Sequence, residues 1–222
     1  SVAIAGYTNA GKSSLLNRIT SAGVLVENAL FATLDPTVRK TQTPDGREYT
    51  LADTVGFVRN LPHQLVEAFR STLEEIGDSD LIVHVVDASH PDPASQIATV
   101  RDVIGEVGAS DIPELIVFNK IDLADETMRL ALRGLEPTSI FVSARTGEGI
   151  EELQDLLARL IPEPNVKVTV VVPYSRGDLV SRIHLNSRIL SLEYIEEGTK
   201  LTAMVKPELA SDLAVFTVID QL

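Results

Sequence analysis

Val2-Ala3-Ile4-Ala5-Gly6-Tyr7-Thr8-Asn9-Ala10-Gly11-Lys12-Ser13-Ser14 is the stretch whose reading decides the fold. An apolar run enters it, G-x-x-x-x-G-K-[ST] occupies Gly6–Ser13, and a helix-period segment from Ser13 to Thr20 leaves it. The glycines let the backbone curl so that its N–H groups point at phosphate oxygens beside a helix N-terminus. Gly6, Tyr7, Thr8, Asn9, Ala10, Gly11 and Ser14 therefore form a candidate phosphate cradle. Lys12 sets a charge between β- and γ-phosphates, and the Ser13 hydroxyl is a ligand for Mg²⁺. A glycine turn with a chance lysine is the bland alternative, and the strand-to-helix position weighs against it. The loop alone does not separate ATP from GTP.

Outward from this loop, short apolar runs alternate with helical segments to about residue 161. The runs are Val2–Ala5, Leu81–Asp87, Leu115–Asn119 and Ile140–Ser143, continuous in the manner of parallel strands covered on both faces. Helices are predicted over Ser13–Thr20, Leu61–Ile76, Ala94–Val107 and Ile150–Leu160. Val38–Thr43 and Glu48–Asp53 flank the turn cluster Thr43-Pro44-Asp45-Gly46, which predicts a hairpin with one antiparallel edge strand. Ile161-Pro162-Glu163-Pro164 reads as a stiff linker. Beyond it, a β-α-β-β-α order predicts a small α+β domain of ferredoxin-like type. The expected division is a nucleotide-binding α/β domain over 1–163 and the small domain over 164–222.

Asn119-Lys120-Ile121-Asp122 chooses the base. It ends an apolar strand, so its side chains emerge at the carboxyl edge of the sheet. The Asp122 carboxylate can accept from guanine's ring N–H and exocyclic amine. Adenine offers neither donor and would leave a buried carboxylate unpaired, at a cost of roughly 1–3 kcal/mol. Ser143-Ala144-Arg145 ends the next strand and is similar to the loop of GTPases whose backbone N–H meets the base oxygen.

Asp53-Thr54-Val55-Gly56 supplies the remaining phosphate-side groups. Asp53 ends a strand and can hold the Mg²⁺ shell, and the Gly56 N–H can reach the γ-phosphate. Phe57 stands where many small GTPases carry the glutamine that orients attacking water, so hydrolysis is expected to be slow unaided. His63 is a possible substitute or an ordinary loop histidine; His84 lies in an apolar strand and reads as core, and Asp87 reads as structural. In Phe31-Ala32-Thr33-Leu34-Asp35-Pro36-Thr37, Thr33 and Thr37 are both candidates for Mg²⁺ and γ-phosphate, with Thr33 favoured. Phe31 and Thr33 are counted among the nucleotide contacts. Lys12, Thr33 and Gly56 are the candidate catalytic residues, and Ser13, Thr33 and Asp53 the candidate metal ligands.

Composition sets the outer limits. The 222 residues are 44% hydrophobic and 23% charged, ordinary for a globular chain. The net charge is −13, and residues 165–222 hold six Lys/Arg and seven Asp/Glu, so the acidity belongs to the first domain. Such a surface argues against direct DNA binding. No apolar run approaches the ~18 residues of a membrane span. With no cysteine there is neither a disulfide framework nor a thiolate site, and a cytoplasmic protein is expected. The chain opens inside an apolar run without an initiator Met, which reads as a cut just upstream of a buried strand.

Together GYTNAGKSS (6–14), FATLDPT (31–37), DTVGF (53–57), Leu61-Pro62-His63 and NKID (119–122) resemble the HflX family of translational GTPases. Residues 165–222 are similar, more weakly, to that family's small C-terminal domain. The resemblance implies GTP hydrolysis with Mg²⁺, coupled to binding the large ribosomal subunit and acting on stalled or stressed ribosomes. It also implies an N-terminal domain ahead of the nucleotide-binding one. Asn9 occupies the position at which potassium-stimulated GTPases coordinate K⁺; it is either such a ligand or a loop-shaping residue. The alternative to a GTPase switch is a guanine-nucleotide-binding scaffold with negligible turnover.

Overall fold

A computed structural model describes residues 1–20, 37–54, 56–57, 67 and 70–218. Phe31, Thr33, Leu61, Pro62 and His63 lie outside the described residues, as does the side chain of Thr37. Two compact units divide the chain, Ser1–Ile161 and Pro162–Leu222.

The first unit runs β1 (Val2–Gly6), α1 (Lys12–Thr20), β2 (Thr37–Gln42), β3 (Glu48–Asp53), α2 (Arg70–Gly77), β4 (Leu81–Asp87), α3 (Pro93–Glu106), β5 (Glu114–Asn119), α4 (Glu126–Leu135), β6 (Ile140–Phe141) and α5 (Ile150–Leu160). Its six-stranded sheet has the order β2-β3-β1-β4-β5-β6. All neighbours are parallel except β2 and β3. The chain goes from β1 to β3 on one side and then to β4 on the other, so β1 ends at the point where strand order reverses. That crevice is where open α/β sheets take ligands.

Alternation along β1 shows why its apolar run must be continuous. Val2 and Ile4 pack with Leu15, Leu16 and Leu153 on one face, whereas Ala3 and Ala5 pack with Phe57, Leu73 and Val100 on the other. Each fully buried aliphatic side chain contributes roughly 1.5–3 kcal/mol of burial. The small residues on the second face leave room for Phe57.

Glu48–Asp53, Leu81–Asp87 and Ile150–Leu160 form over the expected residues. The hairpin turn is closed by Gly46 N–H donating to Thr43 O at 2.8 Å, with Gly46 at φ +86°. Two expectations change. The run Ile140–Ser143 is strand only at Ile140–Phe141, because Ser143 leaves the ladder to serve the site. Helix α4 lies outside the helices that the apolar pattern predicts; it is started by Asp125, whose carboxylate accepts from Met128 N–H at 2.8 Å. Of the helix expected over 61–76, Glu67 and Arg70–Ile76 are described and helical, and the helix runs on to Gly77.

The second unit holds β7 (Val166–Val172), α6 (Gly177–Asn186), β8 (Arg188–Ile195), β9 (Gly198–Val205) and α7 (Pro207–Asp212). Its sheet order is β7-β9-β8, with β9 antiparallel to both neighbours, the core of a split β-α-β arrangement. Val170, Val172, Leu179, Ile183 and Leu201 are buried between sheet and helices. Thr217 bridges antiparallel to Val170 on the other edge of β7.

Candidate functional site: a nucleotide cradle

Close backbone approach shapes the phosphate loop. A Cβ at Gly6 would lie 2.5 Å from the Val85 carbonyl oxygen, and one at Gly11 would lie 2.3 Å from Asn119 Nδ2. Gly11 also sits at φ +95°, a backbone that side-chain-bearing residues resist. Leu15 N–H donates to Gly11 O at 2.9 Å, so the helical ladder begins inside the motif.

The Asp53–Phe57 segment is stitched to this loop by backbone. Phe57 N–H donates to Gly6 O at 3.0 Å, and Thr8 N–H donates to Phe57 O at 2.7 Å. That pairing brings Gly56 against the loop, where a Cβ would lie 3.0 Å from Thr8 Cα and 3.3 Å from Lys12 Nζ. The Phe57 side chain is fully buried among Ala3, Ala5 and Leu73. It is a packing residue and has no access to a water.

Lys12 is buried, and its ammonium donates to Tyr7 O at 3.3 Å. Burial pushes its pKa down to about 8, against the pull of the Asp53 carboxylate. A cation held in so little water attracts phosphate oxygens strongly. Ser13 Oγ donates to Asp53 Oδ2 at 2.6 Å. One hydroxyl and one carboxylate, both hard oxygens, fit Mg²⁺, which takes few protein ligands and completes its octahedron with water and phosphate.

Asn119 joins the two halves of the site. Its buried amide donates from Nδ2 to Ala10 O at 3.1 Å and accepts at Oδ1 from Ala144 N–H at 3.0 Å. One side chain thus fixes the phosphate loop and the Ser143–Arg145 loop together. Lys120, at φ +62°, donates to Asn9 O at 2.8 Å and to Asp87 Oδ2 at 3.0 Å. Asp122 accepts from Ser143 Oγ at 2.7 Å and pairs with Arg145 at 3.0 Å. The Ser143 hydroxyl, with help from Arg145, holds the Asp122 carboxyl below its ordinary range, so it is a full acceptor at neutral pH. Arg145 itself is exposed at 79% of its side chain.

Three contributors were not legible as site residues. Asp87, read from sequence as structural, is the register partner of Asn119 across β4 and β5 and pairs with Lys120. Its place at a strand end is the sequence signal for this role, although no glycine follows it. Ser89 donates to Asp87 Oδ1 from its N–H at 2.9 Å and its hydroxyl at 2.6 Å. Arg18, one turn past the motif on α1, donates to Ala144 O at 2.9 Å and Arg145 O at 2.7 Å; no motif marks it. His84 is buried and its Nδ1 meets Glu114 Oε1 at 2.5 Å, a core position as expected.

A family model described as 50S ribosome-binding GTPase matches residues 1–120. This chain belongs to that family. Among relatives of this GTPase-family chain, the GTPase HflX of Lacrimispora saccharolytica is 46% identical over 213 residues, covering 96% of this chain and 50% of that protein. The GTPase HflX of Escherichia coli K12 is 41% identical over 207 residues, covering 92% of this chain and 48% of its own length. The chain spans about half the length of the curated relatives it matches. A solved GTP-binding protein from Sulfolobus solfataricus, in complex with GDP, is similar at a TM-score of 0.57 and 30% identity over 72% of this chain and 51% of that one.

Proposed function

We propose that this protein binds and hydrolyses GTP as a molecular switch, engaging the large ribosomal subunit in the triphosphate state and releasing it after hydrolysis. The observation that carries the reading is Asn119, whose amide ties the loop that would hold phosphates to the loop that would read the base. Residues 1–163 are taken as the nucleotide-binding domain and 164–222 as the small α+β domain.

Asp122 would accept from guanine's N–H groups, the Ala144 N–H would meet the base oxygen, and Arg145 would flank the ring. Backbone N–H groups from Gly6 to Ser14 would surround the phosphates, with Lys12 neutralising β and γ oxygens. Ser13, Asp53 and Thr33 are assigned to Mg²⁺, Asn9 to K⁺, and Phe31 to the nucleotide's edge. Bound cations supply positive charge next to the transferring phosphoryl group. The Gly56 N–H would donate to the γ-phosphate and relax when that group leaves, the usual logic of such switches. With Phe57 consumed by packing, this chain offers no water-orienting side chain at that position, and unaided turnover should be slow. Among the described residues no helix is long and apolar enough to cross a membrane, and a cytoplasmic location is proposed.

The test is GTP turnover by the full-length protein in K⁺ buffer, with and without large ribosomal subunits. Stimulation of about 10²-fold or more, toward the ~10³–10⁵ that partner-supplied groups give GTPases, is expected. No stimulation would leave a guanine-nucleotide scaffold with negligible turnover. Equal rates in K⁺ and Na⁺ at matched ionic strength would remove the Asn9 assignment.

A further inference from the structure

Among the described residues, only two other than glycine have positive φ: Asn9 at +61° and Lys120 at +62°. They are hydrogen-bonded to each other, through Lys120 Nζ and the Asn9 carbonyl at 2.8 Å. Left-handed backbone is uncommon outside glycine and persists where the surroundings hold it in place. Asn tolerates that conformation better than Lys, so the pair needs a third party to fix the ammonium.

Asp87 is that party. Its Oδ2 pairs with Lys120 Nζ at 3.0 Å, while Oδ1 is held by the backbone N–H and hydroxyl of Ser89 at 2.9 and 2.6 Å. Both carboxylate oxygens are thus engaged, and the side chain has no freedom to swing away. The two strand ends that carry Asp87 and Asn119 are in register, which puts the carboxylate beside the base-reading motif. Lys120 and Asp87 are both partly shielded from water, at 33% and 19% exposure, so the pair is stronger than an open surface ion pair.

We propose that Asp87 is a positioning residue for nucleotide binding: anchored by Ser89, it fixes Lys120 so that the Lys120 ammonium holds the Asn9 carbonyl, and with it the phosphate loop, in its left-handed conformation. This rests on the reading of the site as a guanine-nucleotide cradle. Asp87 touches no nucleotide atom in this scheme and acts through Lys120 alone. The loop's alternative, with Asn9 relaxed to an ordinary backbone, would turn the peptide between Asn9 and Ala10 away from the cradle and loosen every donor after it.

The experiment measures GDP affinity and dissociation rate, with a fluorescent GDP on the full-length protein in Na⁺ buffer. It compares wild type, Asp87→Asn and Asp87→Ala. The isosteric amide keeps the size and removes the charge, so it folds if any variant does; urea unfolding of the nucleotide-free proteins checks this. About threefold to tenfold weaker binding is expected for Asp87→Asn and about tenfold to thirtyfold for Asp87→Ala, mainly in dissociation, the size of a partly shielded charged hydrogen bond. A purely structural role would lower affinity independently of the other residues. Two backgrounds therefore decide the matter: with Lys120→Ala, and with Asn9→Gly, which adopts positive φ freely, Asp87→Ala should change affinity by less than about twofold. Persistence of the full loss in either background overturns the proposal, as does wild-type affinity in Asp87→Ala. Failure of the wild type itself to bind GDP overturns the underlying reading instead, which is a different result.

Discussion

Asn119→Ala tests the link on which the site depends. In the wild type, Ala10 O is buried and accepts from Asn119 Nδ2 at 3.1 Å, while Ala144 N–H is partly buried and donates to Oδ1 at 3.0 Å. Truncation leaves a carbonyl and an N–H without these partners. A buried polar group stranded in this way costs about 1–3 kcal/mol, and the more accessible Ala144 N–H recovers part of its loss from water. The sum is about 2–4 kcal/mol of nucleotide-free stability, a large share of what a domain of this size possesses. Affinity for GDP should fall further than stability alone implies, because both loops lose their common tie: about 10²-fold or more, at 1.4 kcal/mol per decade. Asn119→Asp separates the two bonds. Its carboxylate still accepts from Ala144 N–H but presents a second oxygen to the Ala10 carbonyl, so it should bind GDP nearly as poorly as the alanine variant. Urea denaturation without nucleotide and calorimetric titration with GDP supply both numbers. If Asn119→Ala unfolds within about 0.5 kcal/mol of wild type and binds GDP within threefold, the side chain is not the joint between the loops and the reasoning is wrong.

Other outcomes follow from the same geometry. Lys12 has a pKa near 8 in the nucleotide-free fold against 10.5 in an open chain, so the unfolded state holds the proton that the native state has lost between those values. Stability from this group therefore rises with pH through that window, by up to about 3 kcal/mol, while GDP affinity falls by up to about fivefold from pH 8 to pH 9 as the ammonium discharges; Lys12→Met should flatten both profiles. Gly11→Ala combines a resisted φ with a Cβ 2.3 Å from Asn119 Nδ2, and should cost about 1–3 kcal/mol in thermal or urea unfolding. Asp122→Asn presents an amide donor to guanine's N–H groups, weakening GDP by about 10²-fold in a titration while favouring xanthosine diphosphate, whose ring offers an acceptor there. Ser13→Ala removes one of the three oxygen ligands assigned to Mg²⁺, and the difference in GDP affinity between Mg²⁺ and EDTA buffers should shrink about tenfold.

Local chemistry makes much of this chain legible in its sequence. Glycine spacing, a lysine and a serine at the start of a helix, and NKID at a strand end each carry their meaning within a few residues, since the backbone geometry they need is set by those residues themselves. Apolar runs at β1, β4 and β5 likewise announce a sheet covered on both faces, and Phe57 announces its own unfitness for water. What required tertiary structure was everything that depends on which strand ends are neighbours. Asp87 and Lys120 are separated by 33 positions, and Arg18 and Ala144 by 126; the order β1-β4-β5-β6 and the helix that follows β1 make them contacts. Ion pairs and hydrogen bonds are short-ranged, so their partners are decided by where the sheet delivers them, and a sequence read along its length has no access to that distance.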